Sequence, residues 1–194
     1  MENNLFEKYR KVFGKLKQSQ VDTINTVISK CGIDVATAIL GLDVEQSKPV
    51  SISQTGLNLI KEFEGFSPTA YKDVVGVWTI GYGTIQYPNG KRVQPGDTCT
   101  KEQAEQYLVH DTKWVTNALK NYSHLKQNQI DALSSFIYNV GATAFNKSTL
   151  KNHIDSGNIS LAAKEFDKWN KAGGKVIKGL TVRRAKERSL FEEA

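Results

Sequence analysis

The sequence predicts an α+β protein: a small antiparallel β-sheet lobe beside a larger helical lobe, preceded by a helical N-terminal appendage. Three observations carry this. A Gly- and aromatic-rich stretch with β-type residues, "AYKDV" and then "VWTIGYGT", sits between helical patterns. Ile130, Leu133, Phe136, Ile137 and Val140 recur at helical spacing with few charges between them, which suits the hub helix of a helical lobe. The composition changes at "DVEQSKPVS", a linker closed by Pro49 and Ser51, which separates an appendage over residues 1–50 from a domain over 51–194.

The elements follow in order. Leu5, Phe6, Tyr9, Val12, Phe13 and Leu16 keep helical spacing, with Lys8, Arg10, Lys11, Lys15 and Lys17 between them. Val21, Ile24, Val27 and Ile28 repeat the pattern, and Val35, Ile39 and Leu42 suit a third short helix. After the linker a helix runs from Ser53 to about Glu64 and stops at Gly65. The strands follow, with a third strand expected after the "YPNGKRV" turn. Thr100 and Gln103 form a capping-box pattern that opens a helix to about Leu119. Beyond the hub helix the chain reads as helical except for breaks at Gly173–Gly174 and at Gly179. A cleft between a small sheet and a helical lobe is a natural seat for an extended ligand.

With 39% hydrophobic and 24% charged residues over 194 positions, the chain reads as globular and long enough to bury a sizeable core. Its longest apolar-plus-small run, Val35 to Leu42, is too short to cross a bilayer. "MENNLFEKYRK" lacks the apolar segment of a secretory signal. Synthesis in the cytoplasm without a signal peptide is therefore expected, with delivery to any outside substrate left to another agent. Cys31 and Cys99 are isolated thiols that read as buried or reduced rather than bridged. His110, His124 and His153 are scattered without ligand spacing, so no metal site is expected. The net charge of +6 favours a polyanionic partner. No nucleic-acid module accompanies it, which turns the expectation from nucleic acid to an anionic membrane or cell-wall polymer; plain surface solvation would serve as well.

Glu64, Asp73 and Thr79 lie within sixteen residues, each on a differently shaped piece of backbone. Winding residues 57–64 at about 100° each puts Asn58, Lys61 and Glu62 on a polar face and Glu64 between Leu57 and Ile60. A carboxylate at an apolar helix C-terminus meets the negative end of the dipole and loses water, and both effects favour its protonated form. That suits a general acid; the plainer alternative is a carboxylate paired with a lysine or arginine. For Asp73 and Thr79 the parity of the hairpin decides. A three-residue Val74-Val75-Gly76 loop with a left-handed Gly76 sets Asp73 opposite Val77, and Thr79 then shares its sheet face. A two-residue turn would throw Thr79 to the other face. An aspartate beside a threonine hydroxyl can hold a water, and an acid opposite a water-activating carboxylate describes glycoside hydrolysis.

"EGFSPTAYKDVVGVWTIGYGT" resembles the catalytic signature of the phage-type lysozymes, the endolysin family: Glu-Gly, then Tyr-Lys-Asp, then Thr-Ile-Gly-x-Gly. The resemblance continues through "YPNGKRVQPGDTCTKEQAEQYL", "ALSSFIYNVGATAFNKSTL" and "WNKAGGKVIKGLTVRRAKERSLF", covering roughly residues 53–192. It implies a lysozyme-like fold, with Glu64 as general acid, Asp73 as second catalytic carboxylate and Thr79 assisting the water. It also implies Ile85, Tyr138 and Ser148 as residues of the sugar cleft. Core packing or loop capping is the competing reading for those three. Many relatives carry histidine where this chain has Thr84, so the local contact there must differ.

The implied activity is a muramidase that cuts the β-1,4 bond between N-acetylmuramic acid and N-acetylglucosamine of peptidoglycan, with inversion and without metal or organic cofactor. A monomer acting in the periplasm after holin-dependent release is expected, its basic N-terminal helices suited to an anionic envelope surface. Two alternatives stand beside this: a lytic transglycosylase, which needs the glutamate but no water-holding aspartate, and a catalytically silent wall-binding or membrane-disrupting protein on the same scaffold.

Overall fold

Val21, Ile24, Val27 and Ile28 are the least exposed positions of helix α1 (Gln18–Cys31), with Ile24 buried, as their helical spacing predicts. The structure is a computed structural model that describes residues 17–31 and 49–193; the other two helices expected of the appendage lie outside the described residues. The chain divides into two units between Lys48 and Pro49.

In the second unit, α2 (Gln54–Glu64) begins where Ser53 Oγ accepts the Thr55 N–H at 3.1 Å. The cap is itself tethered. Ser53 N–H donates to Asp131 Oδ1 at 2.8 Å, the Ser53 hydroxyl donates to Asp131 Oδ2, and Gln127 Nε2 donates to Asp131 Oδ1 and to the Ser51 carbonyl. Gly56 permits this approach: a Cβ there would stand 2.8 Å from Asp131 Oδ1 and 2.7 Å from Ile52 Cγ2. The start of α2 is thus pinned to the helix that carries Asp131, which fixes where its far end presents Glu64. Gly65 ends α2 at φ 72°, its N–H donating to the Lys61 carbonyl, as expected.

Strands β1 (Ser67–Lys72) and β2 (Trp78–Gly81) pair antiparallel, Tyr71 opposite Thr79 and Lys72 opposite Trp78. The third strand predicted after "YPNGKRV" does not form; single bridges stand in its place, Gln86 with Arg92 and Thr69 with Thr98. The Tyr87–Lys91 turn consumes its own backbone groups, and Pro95 has no N–H to continue a ladder.

Helix α3 (Lys101–Asp111) opens with the predicted capping box, Thr100 and Gln103 exchanging bonds of 2.9 and 3.2 Å. The single helix expected to reach Leu119 is instead two. Thr112, at φ −80° and ψ −2°, spends its hydroxyl on the Val109 carbonyl, and α4 (Lys113–Ala118) restarts after it. The hub helix is α5 (Gln127–Val140), with Leu133, Phe136 and Ile137 fully buried. Short helices α6 (Ala142–Asn146), α7 (Thr149–Asp155) and α8 (Ile159–Glu165) surround it, and Phe145, Leu150, Phe166 and Phe191 pack into the same core. Gly173 and Gly174, at φ 55° and 77°, turn a hairpin of β3 (Lys171–Ala172) and β4 (Lys175–Val176). Gly179, read as a break, lies in the first turn of α9 (Lys178–Glu192). A second core of Ile60, Ile80, Tyr82, Val93, Ala104 and Leu108 sits against the first hairpin, and Tyr138 packs against both cores. Cys99 is buried and free.

Candidate active site

Asp73 is oriented by its own hairpin. Its N–H donates to the Val77 carbonyl at 2.9 Å, its carbonyl accepts the Gly76 N–H at 3.0 Å, and Gly76 has φ 83°. This is the three-residue loop, and it sets Asp73 opposite Val77. Asp73 Oδ1 accepts the N–H groups of Val75 at 2.9 Å and Val77 at 2.8 Å, which locks the carboxylate plane through that one oxygen. The register puts Tyr71, Asp73 and Thr79 on one sheet face. Thr79 is buried, and its hydroxyl donates to the Val77 carbonyl at 3.1 Å, so toward a further polar group Oγ1 can only accept.

Glu64 is held from far away. Its side chain is 26% exposed at the end of α2, and its Oε1 accepts from Arg183 Nη1 at 2.8 Å. Arg183 is 4% exposed and wholly engaged: Nε donates to Glu187 Oε1 at 3.1 Å, Nη2 to the Ser135 carbonyl at 3.0 Å, and its guanidinium stacks over Phe63 at 5.2 Å. Glu187, fully buried, also accepts from the Ser135 hydroxyl at 2.7 Å and from Arg184 Nη2 at 2.9 Å. Arg184 Nη2 donates to Asn139 Oδ1 as well, and its guanidinium lies 4.9 Å above Phe136. Two arginines and Glu187 therefore leave one positive charge for Glu64 to meet. The plainer alternative for Glu64 is thus what the contacts show, a half-buried carboxylate at the helix end paired with an arginine.

Tyr138 stands one turn of α5 beyond Ser135, the residue whose carbonyl accepts from Arg183. Burial pushes its hydroxyl well above the usual tyrosine range, and the nearby charges of Asp111 and Glu64 push it further, with Tyr71 adding a smaller share and Arg183 opposing. Tyr138 and Ile85 both line a cleft of about 610 Å³ with Gly83, Gln86, His110, Asp111, Lys113 and Trp114. Ser148, expected at that cleft, is instead a buried helix cap: its oxygen accepts the Lys151 N–H at 3.0 Å and its hydroxyl donates to the Phe145 carbonyl at 2.7 Å. Its one donor is spent, and it is 3% exposed.

Thr84 is buried and donates to Asp111 Oδ2 at 2.7 Å, which is the contact made here in place of a histidine's. Burial pushes Asp111 upward while the Thr84 hydroxyl and His110 pull it down. The sequence reading missed Arg183, Glu187, Tyr71 and Asp111. "RRAKE" carries Arg and Glu at i,i+3 and i,i+4, the pattern of an ordinary solvated helix face, and nothing local marks it as buried.

A two-stranded hairpin and a helix end, each presenting a carboxylate beside a large helical lobe, define the lysozyme-like class of α+β folds. This chain belongs to the phage lysozyme family, which residues 61–187 match. It is 47% identical over 148 residues to an endolysin of Bacillus phage PZA, covering 73% of this chain and 55% of that one. The chain thus spans about half the length of the Bacillus phage endolysins it matches. A SAR-endolysin of Enterobacteria phage PA-2 is 37% identical over 142 residues, covering 72% and 84% of the two chains. Among solved structures, an endolysin from Escherichia coli O157:H7 phage FAHEc1 matches with a TM-score of 0.66 at 39% identity, covering 74% of this chain and 94% of that one.

Proposed function

We propose that this chain is a muramidase that hydrolyses the β-1,4 bond between N-acetylmuramic acid and N-acetylglucosamine in peptidoglycan, with inversion at the anomeric carbon. The observation that carries the reading is Asp73: one carboxylate oxygen is locked by two backbone amides, and the residue shares a sheet face with Thr79. Glu64 gives its proton to the glycosidic oxygen as the C–O bond breaks. Arg183 anchors Oε1, so Oε2 presents that proton. A water attacks the anomeric carbon from the opposite face, losing one proton to Asp73 Oδ2 and donating the other to Thr79 Oγ1 as a hydrogen bond. Inversion of this kind uses carboxyl groups about 6.5–9.5 Å apart, room enough for the water. Tyr138 and Ile85 border the saccharide.

The test is mass spectrometry of fragments released from purified peptidoglycan. Wild type should release hydrated reducing ends, and Glu64→Gln should lower the rate by about 10²–10⁴-fold, because an amide has no proton to give. Anhydro sugars would assign a transglycosylase instead, and full activity in folded Glu64→Gln would remove Glu64 from the mechanism.

The substrate places the site of action in the cell wall. Signal-free synthesis with holin-dependent release stands against a signal-anchor-release route of the kind named for the PA-2 relative. Among the described residues no helix is long and apolar enough to cross a membrane. Fractionation of expressing cells before lysis separates the two: soluble cytoplasmic protein for the first, a membrane-tethered precursor for the second.

A further inference from the structure

Trp114 stands in the first turn of α4 with 43% of its surface exposed. The chain's other two tryptophans, Trp78 and Trp169, are partly buried and pack against the two hydrophobic cores; Trp114 belongs to neither core. Its indole lies nearly parallel to the Tyr138 ring, at 21° with centroids 6.3 Å apart, and both rings border the 610 Å³ cleft. Tyr138 lies one turn of α5 beyond Ser135, whose carbonyl accepts from the arginine that holds Glu64. The indole continues the wall of the cleft one ring beyond Tyr138.

An exposed indole held flat by a partly buried partner is an apolar platform with a polar rim. His110, Lys113 and Gln86 supply that rim. A pyranose has the matching surface: an apolar C–H face and an edge of hydroxyl and N-acetyl groups. Aromatic faces flanked by a few polar groups are the usual way a wet cleft holds such a ring, with the indole N–H free to meet an N-acetyl carbonyl. Since the α4 backbone and the Tyr138 stack fix the indole, little side-chain freedom is lost on binding.

We propose that Trp114 is a sugar-stacking platform that binds a pyranose unit of the glycan strand away from the scissile bond and so sets the strand length the enzyme favours. This rests on the muramidase reading for its substrate class, but its test does not require turnover. Steady-state kinetics on soluble, uncross-linked glycan strands, short and long, should show KM for long strands raised about tenfold in Trp114→Ala with kcat within about twofold, and nearly restored in Trp114→Phe. Strands too short to reach the indole should show no difference between wild type and variants. In the Glu64→Gln background, the β-1,4-linked hexamer of N-acetylglucosamine should shift tryptophan emission. Trp114→Phe in the same background should bind the hexamer by calorimetry without that shift. Equal KM values for wild type and Trp114→Ala at every length, or a fall in kcat at constant KM, overturns the platform. An emission shift that survives Trp114→Phe does so too. If wild type releases no sugar from peptidoglycan while the hexamer still gives a Trp114-dependent shift, the muramidase reading fails and the platform stands.

Discussion

Asp73 and Glu64 are oriented by opposite means. Asp73 is fixed by backbone amides two and four residues ahead of it, inside one hairpin. Glu64 is fixed by Arg183, 119 residues away in the last helix, and Arg183 is itself fixed by Ser135 and Glu187. The local arrangement costs little, since those amides need a partner at any hairpin tip. The distant one takes two guanidiniums and a carboxylate out of water and offsets that cost only through mutual pairing. A defect anywhere in that cluster should therefore reach the fold before it reaches the chemistry, whereas a defect at Asp73 should do the reverse.

Substitutions separate the two arrangements. Asp73→Asn keeps an oxygen to accept the Val75 and Val77 amides yet removes the base. Hydrolysis should fall about 10²–10⁴-fold while the urea midpoint barely moves. Loss of the fold in this variant would mean the hairpin depends on the carboxylate charge, and the contrast collapses. Arg183→Met should behave oppositely, losing about 3–5 kcal/mol of stability in urea unfolding because buried Glu187 loses one of its cationic partners. An unchanged midpoint would show that Arg184 and Ser135 suffice for Glu187.

Smaller effects sharpen the same contrast. Gly76→Ala puts a Cβ in open space but at φ 83°, so its cost is conformational, about 1–2 kcal/mol, and confined to the Asp73 hairpin. Hydrogen exchange should quicken at Val75 and Val77 and stay unchanged in α9; protection lost in both would join two regions held here to be separate. Asp111 should give the least. Its carboxyl is raised above the ordinary 3.8 by burial, so folding favours its protonated form. Its contribution to stability is full below 3.8 and is lost as pH rises through the elevated folded value. Asp111→Asn keeps an acceptor for the Thr84 hydroxyl and removes that titration. The difference in melting temperature between variant and wild type should therefore move in the variant's favour as pH rises from acid to neutral. A difference that does not change with pH would mean Asp111 is not desolvated in solution.

What could be read from the chain alone was whatever short-range geometry controls. Gly76 dictates the three-residue loop, the loop dictates parity, and parity puts Asp73 and Thr79 on one face; Gly65 likewise ends α2 at Glu64 because only a left-handed residue turns the chain there. The apolar period of α5 declared a buried hub for the same reason. Where the sequence misled, a contact from elsewhere had intervened or a local backbone bond had been spent. Ser148 became a cap because α7 needed one, and the strand after "YPNGKRV" dissolved into bridges because Pro95 could not extend it. Only the tertiary structure could bring Arg183, Ser135 and Glu187 to Glu64, or lay Trp114 along Tyr138. Each of those residues has an unremarkable local pattern, and its role exists only through packing between segments far apart in the chain. Local backbone geometry is encoded within a few residues, whereas burial of charge and exposure of an aromatic ring are properties of the whole folded surface.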